Sequence, residues 1–176
     1  MTWEAFHHRG DVLHRVFDEV RVRRDGVLPM DLPGVAETFR DELDLLGALQ
    51  LRWSSRLSGK IERELSNQPM DLEAAVIAAW RATADELPGI REIQDHYRSE
   101  PVDTAMSQAM AKAAAKERQL LAVMAGRVSA LEVDEHGARV GAAIEAAARD
   151  GYQLPEPDPT PGNVRFLDRI RAALAA

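Results

Sequence analysis

One pattern constrains this chain more than any other. Met106, Met110, Ala113, Glu117, Leu120, Met124, Val128 and Leu131 recur at steps of three and four residues. That spacing places all eight on one stripe of a helix. Seven suit a packed seam between helices, and the eighth is a carboxylate. The ladder predicts a helix over about 102–131 and makes Glu117 the first candidate for a site.

The rest of the chain reads the same way. A first helix is expected over 3–24, with Phe6, Leu13, Phe17 and Val20 on its buried face and Gly26 closing it. A second is expected over 35–66, its core face formed by Leu46, Leu49, Trp53, Leu57 and Ile61, with Gly47 or Gly59 as a kink. Asp71 is placed to cap a third helix through Leu72, Val76, Ala79, Trp80 and Thr83, which Pro88-Gly89 ends. A shorter helix over 90–98 precedes the ladder. Asp134 is expected to cap an alanine-rich helix through Val140 and Ile144 that stops at Gly151. Alternating apolar and polar stretches, the mark of strands, are nearly absent.

Proline then occupies every second position from Pro155 to Pro161, which favours an extended strut. Thr160-Pro161 opens a terminal amphipathic helix whose apolar stripe is Val164, Leu167, Ile170 and Leu174. The expected fold is therefore all-α: a mainly antiparallel bundle of five or six helices, residues 1–151, followed by a proline-rich linker and helical arm, residues 152–176.

Composition narrows the chemistry. The chain has no cysteine, which excludes disulfides, iron–sulfur clusters, thiolate zinc sites and a cysteine nucleophile. Its net charge of −7 opposes nucleic-acid binding overall. Nineteen of the 22 basic residues are Arg, and alanine is abundant, the bias of a GC-rich bacterial genome. The first ten residues include Glu4, His7, His8 and Arg9 and contain no apolar core of a signal peptide, so a cytoplasmic location is expected. No apolar run reaches the ~18–20 residues that span a membrane.

A lone carboxylate on a packed seam must be paired, protonated or ligating. As a ligand, Glu117 would join a carboxylate–histidine metal centre of the kind ferritin-like bundles carry, with Glu92 and His96, four apart, as companions. As an ion-pair partner, it calls for an Arg from a neighbouring helix. His7, Asp11, His14 and Asp18 share a face of the first helix, but the face lies off the apolar stripe, where solvation is expected. Arg52, Arg56, Lys60 and Arg63 form a basic stripe behind an acidic start, Glu37 to Asp44. Like charges four apart repel, and an antiparallel second copy would match acid to base twice. A phosphate backbone would also answer the stripe, although no aromatic platform accompanies it. Ser54, Ser55 and Ser58 stand in no nucleophile motif, and Trp53 and Trp80 read as core aromatics.

The functional expectation is a non-catalytic, self-associating interaction or regulatory protein without a cofactor. It would assemble as a homodimer through Arg52, Arg56, Lys60, Arg63 and the arm residues Leu167, Ile170 and Leu174. The alternatives are the Glu117, Glu92 and His96 metal bundle and a nucleic-acid or regulator-binding module on the basic stripe.

Overall fold

A computed structural model describes residues 3–157, with side chains described from residue 8 onward. Among these residues the chain is all-α: α1 (Trp3–Arg23), α2 (Val35–Thr38), α3 (Glu42–Ser66), α4 (Leu72–Glu86), α5 (Pro88–Ser99), α6 (Thr104–Met124) and α7 (Ala138–Arg149), with a π turn, Val133–Gly137, leading into α7. No strand occurs among the described residues.

Three long helices start on the same chemistry. The carboxylates of Asp41, Asp71 and Asp103 accept from the backbone N–H groups of Asp44, Ala74 and Met106, at 2.8, 3.0 and 2.7 Å. Each satisfies a donor that the first turn leaves without a partner. Asp71 was legible in the sequence. Asp41 was not, and it corrects the expected 35–66 helix. The break falls at Phe39–Asp41, and α3 runs on through Gly47 and Gly59. Phe39 turns into the core in an extended conformation, with Arg9 over its ring at 4.3 Å.

Other boundaries shift for equally local reasons. The ladder helix stops at Met124 because Gly126 turns left-handed at φ +66°. Its N–H and that of Arg127 return to the carbonyls of Val123 and Ala122, which closes the last turn. Val128 and Leu131 therefore leave the seam, and Leu131 is exposed. Asp134 lies inside the π turn and caps nothing. On α1 the buried line is Val12, Val16 and Val20, with Leu13 and Phe17 at its edge. The first left-handed residue after α1 is Arg24, not Gly26. Its side chain is clasped by Glu92 of α5 at 2.6 and 2.8 Å, which holds a backbone conformation that L-residues rarely adopt.

One apolar core joins the helices, with Trp53 and Trp80 its largest members. Two glycines stand where a neighbouring helix leaves no room for a side chain. Gly89 lets α5 press on the Val20 carbonyl of α1, and Gly141 lets α7 press on the Arg118 carbonyl of α6. The expected strut begins docked: Tyr152 and Leu154 pack on the core, and the Pro155 carbonyl accepts from Arg24 at 3.0 Å. The arm residues Leu167, Ile170 and Leu174 lie outside the described residues. Among the described residues, no helix is long and apolar enough to cross a membrane.

Gly89→Ala and Gly141→Ala each drive a methyl group into backbone and should cost about 1–3 kcal/mol or more. Gly47→Ala, where an added Cβ meets nothing within 4 Å, should gain about 0.5–1 kcal/mol. Urea denaturation of the three variants checks the contrast; equal effects would contradict the packing described.

Candidate functional site

Glu117 lies on the packed face of α6, and both its oxygens are taken. Oε2 accepts from the indole N–H of Trp53 at 3.0 Å, and Oε1 from that of Trp80 at 3.0 Å. The Arg91 guanidinium approaches Oε1 at 3.5 Å. The four groups come from α3, α4, α5 and α6. The two indoles meet edge to face, ring centres 5.9 Å apart, and Arg91 lies 4.8 Å over the Trp53 ring. Packing delivers each: Trp53 and Trp80 are core positions of their helices, and Glu117 occupies the seam of α6.

From Arg91 the charges continue in a chain. Its Nη2 donates to Asp95 one turn on, at 2.8 Å. Asp95 also accepts from Arg98 and, through both oxygens, from Arg149 of α7. Glu145 accepts from Arg98, Arg149 and Arg118. Burial pushes the Arg91 guanidinium down from its ordinary value, against the opposing pull of Glu117 and Asp95. Burial alone would raise Glu145, yet the Arg118 hydrogen bond and the charges of Arg98 and Arg149 outweigh it and bring the carboxyl down to about 2. Asp95 is lowered in the same way, burial being outweighed by Arg149, Arg91 and Arg98.

Cavities flank this centre on two sides. Glu117 lines a groove of 430 Å³ between α3 and α6, edged by Lys112 and Lys116. Trp80 and Arg91 line a second, of 420 Å³, beside Asp95, Arg149 and Tyr152. Tyr152 stacks edge to face on Trp80 at 6.0 Å and donates its hydroxyl to Asp85 at 2.7 Å.

The Arg sought for Glu117 is Arg91. The proposed metal companions are not brought to it. Glu92 faces Arg24, His96 packs on Tyr97 and Gly26, and no group of three or more metal-ligating side chains forms among the described residues. A Glu-x-x-His spacing does occur at Glu4 and His7, whose side chains lie outside those described. Asp11, His14 and Asp18 are exposed. In the basic stripe, Arg56 and Lys60 both hold Glu86, at 2.6 and 2.8 Å, and Arg52 lies 5.2 Å over Phe17. Arg63 is exposed beside Glu64. The like-charge repulsion on this face is thus answered largely within the chain.

Sequence reasoning missed the second half of the network. Its signal was present in the spacing: Arg91, Asp95 and Arg98 share a face of α5, and Glu145 and Arg149 share one of α7. No known protein family, curated protein or solved structure matches the chain.

Glu117→Gln leaves Arg91 buried without its counter-charge and turns an amide N–H₂ toward an indole donor. The expected loss is about 3–5 kcal/mol. Trp53→Phe removes one charge-assisted hydrogen bond and should cost about 1.5–3 kcal/mol from that bond alone. Denaturant midpoints rank the two. The depressed carboxyls also set an acid limit. A group whose folded value lies below its unfolded one stabilises above the unfolded value and ceases to as pH falls through the folded one. Stability should therefore decline from about pH 5 toward about pH 2, and Glu145→Gln should flatten that decline. Thermal midpoints across the range check it; an unchanged slope in the variant would contradict the account.

Proposed function

We propose that this chain is a non-catalytic, self-associating interaction protein, built as a mainly antiparallel helical bundle with a C-terminal arm. The observation that carries the reading is an apolar face where α1 meets α3. Leu51 is 68% exposed there. Leu13, Leu43, Gly47 and Ala48 surround it, and the rim carries Arg9 and Arg40 beside Asp41 and Asp44. An exposed leucine beside half-buried apolar neighbours can pack on its own copy across a two-fold axis; within the chain Asp44 of the rim is held by Arg9 at 3.2 Å and Arg40 at 3.6 Å. The charge-split α3 fits the same assembly, with Arg52 and Arg63 the members of its basic stripe left outside the Glu86 pair.

The state of the two network carboxylates supports the non-catalytic part. Proton transfer favours groups that titrate near the working pH, whereas Asp95 and Glu145 are each fastened by three guanidiniums and held below their ordinary range. The arm, with Leu167, Ile170 and Leu174, supplies a second apolar stripe for the same purpose.

Light scattering coupled to size exclusion tests the assembly. The intact chain should run as a dimer at micromolar concentration, Leu51→Glu as a monomer with unchanged helicity. Removing residues 158–176 should weaken the dimer further. A strict monomer in the intact chain would sink the proposal.

A further inference from the structure

The groove between α3 and α6 carries two charges that the chain leaves unanswered. Lys112 and Lys116 stand one turn apart on its edge, both exposed. Like charges at that spacing repel. Elsewhere such repulsion is met from within: Arg56 and Lys60 share Glu86, and Arg98 and Arg149 share Asp95 and Glu145. Among the described residues Lys60 has an ion-pair partner, while Lys112 and Lys116 have none. The other charge on the groove wall is Glu117, and it is already engaged. Its oxygens accept from Trp53 and Trp80, and Arg91 faces it.

Beside the lysines the wall is apolar and within reach of a ligand. Ala109, Ala113 and Leu120 of α6 are half-buried, so each keeps accessible surface, and Leu57 bounds the groove from α3. The lysine stems add four methylenes each to that surface while their ammonium heads stay in water. The volume of 430 Å³ lies within the roughly 300–1,000 Å³ typical of small-molecule sites.

Shape and charge together select the occupant. Ala109 to Leu120 covers about 16 Å at a rise of ~1.5 Å per residue. The groove's volume, spread over that length, admits one extended chain and not a helix about 10–12 Å across. An inorganic anion would answer the lysines and leave the apolar wall wet. An uncharged hydrocarbon would cover the wall and leave the lysines repelling. We infer that the groove binds a single-chain anionic amphiphile of the fatty-acid class, its carboxylate held by Lys112 and Lys116 and its alkyl chain along Ala109, Ala113 and Leu120. The groove shares no residue with the Leu51 face, so the site stands independently of the assembly.

Laurate is the probe, below its micelle concentration and at fixed ionic strength. Calorimetric titration of the intact chain should show one saturable site with an affinity on the order of tens of micromolar or tighter. Octanoate, four methylenes shorter, should bind at least about tenfold more weakly. Dodecyltrimethylammonium, with the same chain length and the opposite charge, should not bind. Lys112→Glu combined with Lys116→Glu should weaken laurate at least about tenfold. Ala113→Phe fills the groove with the lysines in place and should do the same, helicity being unchanged in both variants. No saturable laurate binding, equal binding of the cationic amphiphile, or an affinity unaltered by either variant would each overturn the inference. Laurate binding that appears only after residues 158–176 are removed would give the groove to the arm, and laurate that splits a dimer would give it to a second copy. Either result overturns it as well.

Discussion

Four helices of this fold meet at one carboxylate that water barely reaches. Glu117 would be ruinously placed on a helix seam if it stood alone, because a charge in an apolar interior loses its hydration and gains nothing in exchange. Two indole donors and a guanidinium supply the exchange, and each arrives from a different helix. The bond geometry therefore fixes the relative positions of α3, α4, α5 and α6 more tightly than apolar contact would. Apolar side chains tolerate a slide of an ångström; an indole N–H at 3.0 Å from its acceptor does not.

The second tier of charges extends that order outward. Asp95 and Glu145 tie α5 to α7, and Arg118 brings in α6. These pairs are half-buried, so solvent screens them less than the exposed pairs on the surface. Arg56 and Lys60 with Glu86 are of the more ordinary kind, worth about 0–1 kcal/mol each, yet they settle how α3 tolerates a row of cations. The glycines do complementary work. At Gly89 and Gly141 the helices come close enough for backbone to meet backbone, which brings the charged rows into bonding range.

The sequence revealed the class of fold because helical periodicity survives local error. It revealed the seam, the core tryptophans and the Asp71 cap, since each rests on a spacing within one element. It also marked Glu117 as a group to be paired, protonated or ligating, with an Arg from a neighbouring helix as one of the answers. It could not say which Arg, because Arg91 is no different in composition from eighteen others until the helices are packed. The break at Asp41 was missed for a different reason: an Asp-x-x-Asp cap is chemically ordinary, while the apolar spacing on both sides reads as continuous. Trp53 and Trp80 were legible as buried but not as donors, since an indole shows its N–H only once its partner is placed. The π turn at Val133–Gly137 departs from the 3.6-residue repeat, so the periodicity there gave no guide.

Sharing one acceptor among four helices has a consequence for descent. A lineage that lost the carboxylate would inherit, in a single step, two indoles without an acceptor and a guanidinium without a counter-ion. Repair at any one of these would leave the other two unanswered. Trp53, Trp80, Arg91 and Glu117 are therefore replaceable only as a set. Their order along the chain, Trp, Trp, Arg, Glu, is the mark by which a distant relative would be recognised after the rest of its surface had drifted beyond comparison.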